Sequence, residues 1–234
     1  MTHELPTTAA AEFDSLHSAP VQPSTNLRID RDVLLAYPTP ILQREWPGKG
    51  AVNEALRRLI LHREREDPGL PKANIGGWHS QHDLFRWPDA AIETLASWIS
   101  AATQHVTDVT CGAPHRPMHV DMTVEGWANI LRDGGYTNLH NHPGFVWSGV
   151  YYVSVGQSAP GDSDSGVIEF VDPRVGVNSG LLPNEPFGAM LRFPPREAVM
   201  LIFPSWLYHH VTPFRGAGER ISISFNIRLN FSES

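Results

Sequence analysis

The stretch Asn138-Leu-His140-Asn-His142-Pro-Gly144, followed at once by the apolar run Ser148-Gly-Val-Tyr-Tyr-Val153, decides how the rest of the chain is read. It sets two imidazoles two residues apart beside a run with the character of a core strand. In a strand, residues so spaced point to one face. Two imidazoles on one face can hold a divalent transition metal once a third ligand arrives from elsewhere. The source is Phe203-Pro-Ser-Trp-Leu-Tyr-His209-His210-Val-Thr-Pro213. Adjacent strand residues face opposite ways, so only one of His209 and His210 can join a given site. A competing pattern lies twenty residues earlier: His119-Val-Asp121 is a two-histidine-one-carboxylate signature if a distal histidine completes it. It lacks a following strand of the same kind.

Working outward, short β-rich runs alternate with turn residues after residue 117: Met118–Val124, Trp127–Leu131, Val146–Val155, Gly166–Asp172, Ala198–Phe203 and Arg220–Leu229. Before them, Val52, Ala55, Leu56, Leu59 and Ile60 keep one helical face, which predicts a helix over 51–66. Pro88 and Asp89 suit the first turn of a second, over 88–106, with the stripe Ile92, Leu95, Ala96, Ile99 and Val106. Helices followed by a run of strands argue for a mainly β fold, a jelly roll with helices packed on one outer face, and not for a parallel βαβ sheet. Val33–Leu42 reads as a short edge strand broken by Pro38 and Pro40. Asn74-Ile-Gly-Gly-Trp78-His79-Ser-Gln-His82-Asp-Leu84 reads as a loop by its glycine pair. Residues 1–27 have the composition of a disordered tail, which leaves 28–234 as one domain with its β core over 117–230.

Composition excludes several functions. A net charge of −7 and a pI near 5.9 leave no basic footprint for nucleic acid or anionic lipid. No apolar segment approaches the roughly 20 residues of a membrane span, and the first residues lack the pattern of a secretory signal. One cysteine, Cys111, fits a reducing compartment, so a cytoplasmic location is expected.

A second anchor is Arg220-Ile-Ser222-Ile-Ser224-Phe-Asn226, whose polar residues share one face and whose apolar residues share the other. Arg220 follows His209 across a glycine-containing turn, which predicts adjacent antiparallel strands. A polar face inside a small barrel is costly unless a polar ligand meets it. A guanidinium holds a carboxylate through two parallel hydrogen bonds, and Ser222 can add a third. A five-carbon dicarboxylate could bridge Arg220 and the metal. Trp78, His79 and Trp147 are candidates to line the pocket.

Taken together, Tyr37-Pro-Thr-Pro40, Gly77-Trp-His-Ser80, His140-Asn-His142-Pro-Gly, Ser148-Gly-Val-Tyr-Tyr152, Phe170-Val-Asp-Pro-Arg174, Phe203-Pro-Ser-Trp-Leu-Tyr-His209 and Arg220-Ile-Ser-Ile-Ser-Phe-Asn226 resemble the 2-oxoglutarate and iron(II)-dependent oxygenases. The resemblance runs from about Tyr37 to Asn230 and implies a double-stranded β-helix. It also implies His140, His142 and His209 as metal ligands, with His142 where most such oxygenases have a carboxylate. Arg220 and Ser222 would hold the far carboxylate of 2-oxoglutarate, with Asn138 touching it. The implied activity is that of an Fe(II) dioxygenase that hydroxylates a small-molecule or peptide substrate with O2 and releases succinate and CO2. Two rivals remain: a three-histidine, cupin-like metalloenzyme that uses no 2-oxoglutarate, and a non-catalytic jelly roll binding a sugar or peptide. The sequence leaves oligomeric state open, a homodimer among the options.

Overall fold

The computed structural model describes residues 37–47, 50–112, 118–174 and 190–233. The tail expected over 1–27 and the start of the strand expected over Val33–Leu42 lie outside them. The elements below belong to the compact unit Thr39–Ser234.

The two helices form where the periodicity puts them. α1 spans Ala51–Glu66 and buries Asn53, Leu56 and Ile60, with Glu54 in its first turn and Arg63 and Arg65 in its last, as the helix dipole favours. α2 spans Ala90–Cys111, five residues beyond the expected Val106, and stops at Gly112, which takes φ 71° and donates its amide to the Asp108 carbonyl. Asp89 caps α2, its carboxylate accepting from the Ala91 amide at 2.8 Å. Asp89→Ala should lower stability by about 1 kcal/mol in chemical denaturation.

The strands are β1 (Leu42–Glu45), β2 (Asn74–His79), β3 (Met118–His140), β4 (Trp147–Ser158), β5 (Ile168–Phe170), β6 (Leu191–Phe193), β7 (Val199–Pro204), β8 (His209–Val211) and β9 (Gly216–Glu233). They pair in the order β1-β7-β4-β9-β3-β8-β5-β6, with β2 also on β3, and every pairing between them is antiparallel. The sheet curls into a double-stranded β-helix, as expected. Its outer face meets the helices: Ile221, Ile223, Phe225, Tyr151, Val153 and Met200 pack in one cluster with Leu56, Ile60, Leu95 and Ile99. The alternate residues Val150, Tyr152, Leu201, Phe203 and Leu131 pack on the inside. Successive residues on a strand face opposite sides, so one parity of each strand builds the helix-facing core and the other the interior.

Asn53 ties helix to sheet. Its Nδ2 donates to the Val153 carbonyl at 2.9 Å, and its Oδ1 accepts from the Tyr151 hydroxyl at 2.7 Å. Asn53→Ala would leave both partners buried and unmatched, so it should cost about 1–3 kcal/mol in denaturant unfolding.

Four local expectations are corrected. The edge strand is Leu42–Glu45, starting where the expected one ended, after the prolines that cannot donate to a ladder. Residues 74–79 are a strand, not a loop: Gly76 takes φ 67° at a bulge, and Gly77 lies against β3, where a Cβ would sit 2.5 Å from the Ile130 carbonyl. The two strands expected over 118–131 are one. Gly126 is there not as a break but because the Phe85 ring lies 2.4 Å from where its Cβ would be. Finally, β8 and β9 do not pair with each other. Both pair with β3, β9 along 118–131 and β8 at 137–140, while β2 takes the other edge.

Candidate metal and anion site

Register brings the site residues into rows. Directly paired residues share a face, so each position on β3 carries its partners with it. Leu131 aligns with Arg220; Asn129 with His79, Ser222 and, through β9, Tyr152; Trp127 with Ser224 and Val150; Glu125 with Asn226 and Ser148. Farther along, Thr137 aligns with Asn74 and Val211, and His140 with His209 and Phe170. Most of these residues line one cavity of about 270 Å³ in the barrel.

His140, His142 and His209 converge at the end of β3, with one ring nitrogen from each lying within 4.8 Å of the others. Their ring centroids are 4.4 Å (140–209), 4.9 Å (140–142) and 5.3 Å (142–209) apart. The mechanism of convergence differs from strand alternation. His140 is the last residue of β3, and His142 lies beyond it in a turn held by its amide donating to the Ser205 carbonyl at 2.9 Å. His209 is buried on β8, while His210 points away and pairs with Glu169 at 3.1 Å. The side chain of His119 lies outside the described residues. Asp121 is exposed on β3, aligned with Asn230, and is not in the cluster.

The hydrogen bonds of two imidazoles prepare them as ligands. His140 Nδ1 lies 2.7 Å from the Asn138 carbonyl, and His209 Nδ1 lies 2.9 Å from the Leu207 carbonyl. A carbonyl only accepts, so each Nδ1 carries the proton and each Nε2 the lone pair. Burial pushes His209 down to about 3 and His142 down to about 4, and it lowers His140 too. Neutral imidazoles are the form that binds metal. A set of three nitrogen donors fits Fe(II) and also zinc, copper and nickel.

Burial likewise pushes His79, on the same wall, down to about 4. These histidines bind protons at a lower pH folded than unfolded, so the unfolded chain holds more protons between pH 6.5 and 4. Stability of the metal-free protein should therefore fall as pH drops through that window. Melting temperatures recorded from pH 7 to 4 check this, and His79→Gln should flatten the slope.

Arg220 lies at the other end of the cavity, 2% exposed. Its Nε donates to the Gly166 carbonyl at 3.1 Å and one terminal nitrogen to Ser222 Oγ at 3.3 Å. It has no carboxylate partner among the described residues. Beside it the Tyr152 ring lies 5.1 Å from the guanidinium carbon, and the buried Tyr152 hydroxyl, which faces the guanidinium, makes no hydrogen bond of good geometry among the described residues. Burial lowers the pKa of Arg220 and raises that of Tyr152. A buried charge without a counter-charge is expensive, and a carboxylate ligand relieves it. Gly166 takes φ 64°, and a Cβ there would come within 2.9 Å of Arg220 Cδ. Gly166→Ala should thus displace the guanidinium and weaken carboxylate binding by roughly tenfold, readable by calorimetry.

Other placements differ from expectation. Asn138 is exposed and borders a separate shallow depression, so its carbonyl on His140, not its carboxamide, is what reaches the site. Trp78 and Trp147 face the helix side, their indoles donating to the Asp67 carbonyl and to Thr107. His79 does line the cavity, with Trp127 stacked on it at 5.4 Å and His82 beside both. Trp127, Tyr152, Lys72 and Asn74 also line the cavity, and nothing in the sequence singles them out as site residues. Both carboxamide atoms of Asn74 are buried without a partner among the described residues.

Fold and site together give a double-stranded β-helix with three converging imidazoles at one end of its cavity and a buried guanidinium at the other. Residues 125–226 match the family described as "Putative 2OG-Fe(II) oxygenase", and the chain carries a 2-oxoglutarate/Fe(II) oxygenase domain, whose cofactors are iron and 2-oxoglutarate. Such a domain takes O2 and a small-molecule or peptide substrate. No curated protein matches the chain. Among solved structures it is similar to a Pseudomonas putida prolyl-4-hydroxylase (TM-score 0.54, 15% identity, covering 80% of this chain and 92% of that one). It is also similar to HygX from Streptomyces hygroscopicus with nickel and 2-oxoglutarate bound (TM-score 0.53, 13% identity, 81% and 82%). A third is a Trichoplax adhaerens prolyl hydroxylase in complex with a hypoxia-inducible factor peptide (TM-score 0.52, 13% identity, 80% and 83%). At these identities the likeness is one of fold. No helix among the described residues is long and apolar enough to cross a membrane.

Proposed function

We propose that His140, His142 and His209 hold the iron, and that Arg220, Ser222 and Tyr152 hold the far carboxylate of 2-oxoglutarate in an enzyme that hydroxylates a polar substrate. One observation carries the reading: a buried guanidinium without a carboxylate partner among the described residues shares a cavity with three converging imidazoles. Iron, when bound, supplies the centre at which O2 and 2-oxoglutarate react. The chain's own work is positional. Asn138 and Leu207 orient two ligands through their carbonyls, and Val150, Phe203, Ile168 and Val211 line the space between the anchors and keep bulk water out. Lys72, Asn74, His79, His82 and Trp127 form a wall whose polar groups suit a polar small molecule or a peptide.

Three neutral imidazoles leave the Fe(II) site one positive charge above the usual triad with its carboxylate. That charge favours binding of an anionic cosubstrate and raises the potential of the metal. The acidic net charge and the single cysteine fit a cytoplasmic protein that binds no nucleic acid, and a homodimer is compatible with the exposed apolar residues Leu139, Trp206 and Tyr208. A tail over 1–27 remains our reading of composition. Uncoupled succinate formation tests the function. With Fe(II), 2-oxoglutarate and O2 the protein should release succinate slowly, and a cognate substrate should accelerate it. A metal-loaded protein that makes none favours the cupin-like rival, and one that retains no transition metal favours the non-catalytic one.

A further inference from the structure

His142 is the odd member of the cluster. Its Nδ1 faces no carbonyl among the described residues. Instead it lies 3.5 Å from Nδ2 of Asn226, a buried residue on β9. The carboxamide is oriented by its other partners: Oδ1 accepts from the Ser148 hydroxyl at 2.7 Å, and Nδ2 donates to Glu125 Oε1 at 3.3 Å. Glu125 is held in turn by His82 at 3.5 Å. An N–H of Asn226 facing Nδ1 requires a lone pair on Nδ1, which puts the proton of neutral His142 on Nε2. His140 and His209 have the opposite arrangement.

We propose that Asn226 is the positioning residue for His142, its carboxamide deciding which ring nitrogen His142 offers to the metal. This rests on the reading of His142 as a ligand. With the amide as described, Nε2 is protonated and cannot bind. Turned by half a rotation, the amide presents Oδ1 to an Nδ1–H and Nδ2 donates to Ser148 Oγ, while Glu125 loses the Nδ2 donor and must turn its carboxylate away from Oδ1, keeping His82 as its partner. Nε2 is then free, and all three imidazoles donate Nδ1–H to an oxygen. An oxygen acceptor behind a metal-bound histidine fixes its orientation and raises its basicity. Asn226 would do for His142 what the Asn138 and Leu207 carbonyls do for the other two. Leucine at 226 has no acceptor, whereas aspartate has one in any rotation.

The test uses Co(II) as the probe on metal-free protein, reading the dissociation constant and the visible d–d spectrum, with circular dichroism to check folding. Asn226→Leu should weaken Co(II) binding by roughly 10–100-fold and change the d–d bands. Asn226→Asp should bind at least as tightly as wild type. Wild-type affinity and spectrum in a folded Asn226→Leu variant overturn the inference. Should that variant not fold, Asn226→Asp decides alone, and binding about tenfold weaker than wild type overturns it. His209→Ala is the control. If wild type binds Co(II), His209→Ala does not and Asn226→Leu binds normally, only the role of Asn226 fails. If wild type binds no Co(II), the metal site fails and this inference with it.

Discussion

Arg220→Leu should weaken 2-oxoglutarate binding by two orders of magnitude or more while leaving the fold intact or firmer. A bidentate guanidinium–carboxylate contact supplies two charge-assisted hydrogen bonds, each about 1.5–3 kcal/mol. Their loss corresponds to a rise of roughly 100- to 1,000-fold or more in the dissociation constant for 2-oxoglutarate. Stability should move the other way. Arg220 is buried with only Gly166 and Ser222 as hydrogen-bond partners among the described residues. Replacing such an unpaired charge by an apolar side chain is neutral or stabilising. The melting temperature without 2-oxoglutarate should hold or rise, and the upward shift that 2-oxoglutarate gives wild type should vanish. Arg220→Lys should rescue little, because an ammonium cannot reproduce the fork. A variant that loses stability but keeps its affinity for 2-oxoglutarate would refute the anchor.

His209→Ala and His140→Ala should each remove the metal. Losing an orienting partner behind a ligand costs about 10–100-fold in affinity or activity, and losing a ligand costs more. Metal content after purification should drop to a small fraction of wild type, and succinate formation should fall by more than about 100-fold. His140→Ala is the cleaner variant, since His140 is half-buried whereas His209 packs against Phe203 at 4.8 Å and Phe170 at 5.8 Å. His210→Ala is the matched control. Its partner is Glu169, outside the cluster, so it should keep both metal and turnover.

The parts of this architecture that follow local periodicity were legible in the sequence. α1 has the bounds that its apolar stripe gives, and the polar and apolar parities of 220–226 became the interior and helix-facing sides of β9. What was hidden depends on contacts between distant strands. Gly76 and Gly77 read as a loop because nothing local reveals that Ile130 presses on one of them. For the same reason Asn74 went unplaced as a wall residue. Trp147 was a fair guess by proximity to the histidines, but its parity on β4 sends it to α2, whereas Trp127 shares a parity with Asn129 and faces inward. The cluster itself was visible as spacing. Its geometry was not, since His142 is set by a turn whose partner, Ser205, lies more than sixty residues away. Arg220 was visible as a candidate, but its lack of a carboxylate partner among the described residues emerges only once the strands are closed around it.

Anaerobic addition of Fe(II) and then 2-oxoglutarate to the metal-free protein tests the central claim most directly, because chelation of Fe(II) by the 2-oxo acid produces a weak visible charge-transfer band. The band should appear with wild type at one equivalent of each, disappear in His140→Ala, and need far more 2-oxoglutarate in Arg220→Leu. No band in wild type, or an unchanged band in His140→Ala, would contradict the assignment.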